Sequence, residues 1–130
     1  MGINEDKSLP YRFFVLVPVF GKIREGDIIA FEPLKDNMFM KGLKGLIVKE
    51  VGCSHPSMLI VKGKEYYCVK YLGKASGRSS DGRKVKSFVR SGTVPENCYF
   101  VIGKHERSYD SRYFGFVCRD KIKYKVLFAR

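Results

Sequence analysis

"IKYKVLF", residues 122–128, alternates apolar Ile122, Tyr124, Val126 and Phe128 with Lys123, Lys125 and Leu127. A period of two marks a β-strand, because successive side chains leave a strand on opposite faces. One face is expected in the core and the other mostly in water, as in an antiparallel sheet. Working outward, short apolar or alternating runs recur at 12–19, 27–31, 45–52, 58–62, 65–72, 84–90, 97–103 and 113–118. Turn formers separate them: "REGD" at 24–27, "VKGKE" at 61–65, "SSDGR" at 79–83 and "VPEN" at 94–97. The small, polar "GKASGRSSDGRK", 73–84, reads as a loop or hairpin tip. Helical periodicity is nearly absent. The expected class is all-β, a small folded sheet or barrel.

A length of 130 residues suggests one domain, 1–130, with a modest core. At 45% hydrophobic the chain is globular and not disordered. Its longest apolar run, "FFVLVPVF" at 13–20, contains Pro18 and is too short to span a bilayer. The net charge of +12 calls for an anionic partner, either nucleic acid or an anionic membrane. Lys and Arg are scattered along the chain, which favours neither. Cys53, Cys68, Cys98 and Cys118 are widely spaced, with no CxxC or Cys/His cluster. No metal site and no cofactor are therefore expected. Each cysteine sits in or beside an apolar run and is expected to be a buried free thiol.

The chemistry-bearing residues are few. His55 and His105 are the two histidines, and neither stands in a familiar spacing to a serine or cysteine. That gives a Ser–His–Asp enzyme little support. A Ser–Lys pair is another arrangement of nucleophile and base. In "KSLP", 7–10, Pro10 fixes its own φ and biases Leu9 towards extended geometry, which would present Ser8 rigidly. The plain alternative is a turn serine. In "GLIVKEVG", 45–52, Lys49 shares a strand face with Ile47 and Val51, while Val48 and Glu50 share the other. A lysine on a buried face is unusual. A general base must be unprotonated, a state that burial favours by penalising an ammonium. The plain alternative here is a lysine snorkelling at a sheet edge. Late in the chain, Ser108, Asp110 and Arg112 alternate with Tyr109, Ser111 and Tyr113, so extended backbone would put the first three on one face.

These stretches together resemble one family. "GKHERSYDSRYFG", 103–115, is similar to the last box of the type I signal peptidases, Ser-x-Asp-Ser-Arg-Tyr-x-Gly. "TVPENCYFVIG", 93–103, resembles the lead-in to that box. "GDIIAF", 26–31, resembles the family's Gly-Asp strand, and "LIVKEVG", 46–52, its lysine box. "KSLP" and the glycine-rich "GKASGRSSDGRKV" look most like the conjugative-transfer signal peptidases. The resemblance runs in order over essentially the whole chain.

It implies a signal peptidase catalytic fold and a serine endopeptidase with a Ser–Lys dyad. Ser8 would be the nucleophile and Lys49 the general base. Ser108 would orient the lysine amine, and an Asp110–Arg112 salt bridge would support that loop. The implied substrate is a secreted precursor protein, such as a conjugative pilin precursor. The implied location is the periplasmic face of a bacterial inner membrane, beside an anionic lipid surface and without a nucleic-acid partner. The family's membrane anchor is missing before Ser8, which reads as a trimmed or soluble form. Asp6 stands where the family usually has Ser or Thr donating to the oxyanion, and a carboxylate opposes an oxyanion. Ser57, in "HPSML", echoes a nucleophile motif but follows Lys49 and lacks the proline two residues on. Two rival readings stand beside this one: a basic β-barrel that stacks bases on its eight tyrosines and ten phenylalanines, and an inactive family member.

Overall fold

The computed structural model describes residues 13–19, 21–34, 37, 40, 42–76, 84–103 and 108–129. In chain order the strands are β1 (Phe13–Pro18), β2 (Ile28–Phe31), β3 (Ile47–Ser54), β4 (Met58–Lys62), β5 (Glu65–Cys68), β6 (Lys70–Lys74), β7 (Gly92–Thr93), β8 (Cys98–Ile102), β9 (Val117–Cys118) and β10 (Ile122–Ala129). One helical turn, α1 (Ser111–Phe114), precedes β9, and a 3-10 turn, Arg119–Lys121, precedes β10. The strands form a six-stranded sheet of order β1-β10-β2-β3-β8-β9 and a four-stranded sheet of order β6-β5-β4-β7. All pairings among the described residues are antiparallel. The fold is all-β, as the strand pattern implied. No helix among the described residues is long and apolar enough to cross a membrane.

β2 is buried on both faces because it sits between two apolar layers. Ile29 and Phe31 join Val51, Val101, Val117 and Ile122 in one cluster. Ile28 and Ala30 join Val48 and Val126 in another. Ile29 and Phe31 are fully buried, each contributing on the order of 2 kcal/mol of transfer free energy. A third cluster, with Cys53, Leu59, Tyr66, Cys68, Phe100 and Tyr113, joins the two sheets.

Several elements differ from the sequence expectation. In β10 the register against β2 shifts between Ile122 and Tyr124. A bulge of this kind offsets the alternation. Ile122 and Val126 accordingly fall in different clusters, and Tyr124 is exposed. The expected single strand at 65–72 is a hairpin that reverses at Val69, φ 68°. A β-branched residue at positive φ gives no turn signal in sequence. The expected strand at 84–90 makes only an isolated bridge at Lys84, and the backbone of Phe88 bonds to Arg112 O at 2.8 Å instead of to a ladder. The expected strand at 113–118 begins as helix, because the Asp110 carboxylate caps the N–H of Arg112.

The cysteines are not free thiols. Cys53 and Cys68 are joined, S–S 2.07 Å, across the cluster between β3 and β5. Cys98 and Cys118, direct register partners on β8 and β9, are joined with S–S 1.97 Å. Sequence separations of 15 and 20 hid both pairings; the sheet topology creates them.

Candidate active site

The apolar residues of β3 hold the strand in the core, and Lys49 goes in with them. It pairs with Ile29 in the ladder and is only 2% exposed. β8 lies alongside β3, and the chain returns from it through Ser108, itself buried. Lys49 Nζ donates to Ser108 Oγ at 2.7 Å. Two residues 59 positions apart thus form a buried amine–hydroxyl pair. The Ser108 hydroxyl fixes where the amine points.

Behind this pair stands a buried ion pair. Arg112 Nε donates to Asp110 Oδ1 at 2.8 Å and Nη2 to Oδ2 at 2.8 Å, a bidentate fork. Asp110 also accepts from Gly103 N at 2.9 Å and from Arg112 N at 3.0 Å. Arg112 Nη2 reaches Ser108 O at 3.2 Å, and Nη1 reaches Lys74 O at 2.8 Å. One guanidinium therefore ties the Ser108 segment to β6 of the other sheet. Burial alone pushes the Arg112 guanidinium down, but the hydrogen bonds and charge of Asp110 outweigh it and hold its pKa above the ordinary value. Ser108, Asp110 and Arg112 are brought together by a cap and a helical turn, not by extended backbone.

Three further contributors were not singled out in sequence. Ser111 Oγ accepts from Val101 N at 2.8 Å and fixes the helical turn to β8. Gly73, φ +140°, lets Arg112 approach: a Cβ there would sit 2.9 Å from Nη1. The Tyr66 hydroxyl lies 2.8 Å from Phe88 O and 3.0 Å from Arg112 O, and burial raises its pKa. A glycine in a strand-like run was the one available signal.

Ser8, Asp6 and His105 lie outside the described residues. His55 and Ser57 follow the far end of β3, about 15 Å or more from Lys49 at strand rise. His55 Nδ1 donates to Val94 O at 3.0 Å, and Ser57 Oγ donates to Glu25 at 3.3 Å. Neither joins the lysine site. Among the described residues no group of three His, Cys, Asp or Glu could hold a metal ion.

Comparison with known proteins adds to this geometry. The family model described as signal peptidase, peptidase S26, matches residues 1–129. Signal peptidase I of Bacillus caldolyticus is 34% identical over 113 residues, 83% of this chain and 62% of that protein. The chain thus spans less than two thirds of that relative's length. The crystal structure of a signal peptidase I from Enterococcus faecalis V583 superposes with a TM-score of 0.53 at 25% identity, covering 84% of this chain and 100% of that one.

Proposed function

The chain belongs to the signal peptidase family, peptidase S26, and on that premise we propose that it is a serine endopeptidase working through Ser8 and Lys49. The observation that carries the reading is the buried Lys49–Ser108 hydrogen bond of 2.7 Å. Burying a lysine amine costs stability, and a catalytic use for that amine accounts for a lysine in this place.

In the proposed cycle neutral Lys49 takes the hydroxyl proton of Ser8 as Oγ attacks the scissile carbonyl. The amide C–N bond then breaks, and the leaving amine takes that proton from Lys49. Water, deprotonated by the same amine, hydrolyses the acyl-enzyme and regenerates Ser8. Ser108 orients the amine throughout, and the Asp110–Arg112 pair holds Ser108. The substrate is a secreted precursor of the pilin type, bound as an extended chain by edge pairing. The site works at the outer face of the inner membrane, with β1, Phe13–Pro18, beside the lipid surface. Sequence likeness to the conjugative-transfer subfamily supports this substrate class.

The test is peptide hydrolysis by Lys49→Arg beside wild type. Arginine keeps the charge but cannot lose its proton, so the proposal requires a folded, inactive variant. Near-full activity would remove Lys49 from the mechanism.

A further inference from the structure

One support of Ser108 is Arg112, whose Nη2 donates to its carbonyl at 3.2 Å. A second comes through the next residue. The Tyr109 ring stacks on Tyr113 at 5.6 Å and 14°, and packs on Phe114 at 5.4 Å and 58°. Phe114 in turn meets Phe31 of β2 at 6.2 Å. These contacts fix the ring, and a half-buried tyrosine hydroxyl then needs a polar partner. Asn37, 72 positions earlier, supplies one: its Nδ2 donates to the Tyr109 hydroxyl oxygen at 2.7 Å. Burial raises the Tyr109 pKa, and the smaller opposing effect of Asn37 does not cancel it, so the phenol stays neutral.

Asn37 stands between β2 and β3, and it is itself fixed. Its N–H donates to Leu34 O at 3.0 Å. Met40 N donates to its carbonyl at 3.1 Å and to its Oδ1 at 3.2 Å. Met40 is buried, and its sulfur accepts from Leu34 N at 3.2 Å. With Oδ1 engaged in this turn, the other end of the amide is aimed away from it. From this connection the chain enters β3 and reaches Lys49. The Lys49–Ser108 and Asn37–Tyr109 bonds therefore join the same two stretches of chain at two points. A single hydrogen bond lets two segments pivot; a second one, beside a packed ring, sets their separation and angle.

We propose that Asn37 and Tyr109 are a positioning pair for the general base: their hydrogen bond holds the Ser108 hydroxyl where it orients the Lys49 amine. Both act through Ser108 and not on the substrate. The inference rests on the peptidase reading of Lys49 and Ser108. A bond that served the fold alone would cost stability and spare turnover, whereas a positioning bond costs turnover even in a folded protein.

The test is steady-state peptide hydrolysis, read as kcat and KM separately, beside the rate at which a serine-acylating inhibitor modifies the full chain. Tyr109→Phe, which keeps the ring, and Asn37→Ala each lower kcat and the acylation rate about tenfold, with KM within about twofold. Together they lose no more than either alone, because both remove the same bond. In a Ser108→Ala background Tyr109→Phe lowers the residual acylation rate no further, since its effect passes through Ser108. Losses that multiply to about 100-fold in the pair, or a further loss of about tenfold in the Ser108→Ala background, overturn the positioning role. Full activity in both single variants, beside an inactive Lys49→Arg, overturns it too. Thermal melting checks that each variant is folded, and because the two attack the bond from opposite ends, misfolding of one leaves the other to decide. A wild type that neither hydrolyses peptide nor acylates at Ser8 removes the peptidase reading itself, and this inference with it.

Discussion

Around Lys49 charges are few, buried and held by specific partners; on the four-stranded sheet they are mostly exposed, lysines outnumbering the acid Glu65. Asp110 is fully buried and accepts four hydrogen bonds. Lys62, Lys64 and Lys70 stand in solvent. The same residue types therefore carry different consequences. A buried charge is expensive to strip of its partner, because the survivor cannot return to water. A surface charge contributes little to the fold and can be given over to long-range attraction. Lysine position, more than lysine number, decides what each charge does for the fold.

The sharpest way to break this contrast is at Lys49. Lys49→Arg should lose about a thousandfold or more in kcat/KM, while thermal melting reports a folded protein. Asp110→Ala should follow, costing about 4 kcal/mol in denaturant unfolding, because Arg112 would be left buried and uncompensated. Equal melting of Asp110→Ala and wild type would show that the pair is not a buttress. Removing Cys53–Cys68 as a double alanine variant should cost about 3 kcal/mol by the same measurement. Cys98 and Cys118 are only half-buried, so thiol alkylation and mass analysis under mild reductant should find that bridge opened first. Lys123→Ala should be the smallest effect, under about 0.5 kcal/mol, since its partner Glu32 is 3.7 Å away and both are largely exposed. A large loss there would mean that surface pairs matter to this fold after all.

The strand class was legible because alternation survives in short windows: β10, β3 and β8 all read as strands in the sequence. What could not be read was decided by non-local contacts or by unmarked turns. Val69 reverses the chain without glycine, proline or asparagine, so β5 and β6 look like one strand. The bulge in β10 offsets an alternation that the sequence shows as unbroken. Both disulfides join residues that only the sheet order brings together. At the candidate site, Lys49 stands out because a lysine interrupts an apolar strand. Ser108, Asp110 and Arg112 stand out by their order. Extended backbone was the wrong geometry for them: the Asp110 carboxylate ends the extended run by capping Arg112 N. The contributions of Gly73 and Ser111 come from close approach and a backbone bond; the glycine is a weak signal of the first, and the second has no sequence signature.

The central claim is that Lys49 activates Ser8, and intact-mass analysis after a serine-acylating inhibitor tests it most directly. The account predicts a single adduct on wild type, mapped by peptide digestion to Ser8. It predicts no adduct on Ser8→Ala, and strongly reduced labelling on Lys49→Met despite a fold at least as stable as wild type. An adduct on Ser57, or undiminished labelling of Ser8 in Lys49→Met, would contradict it.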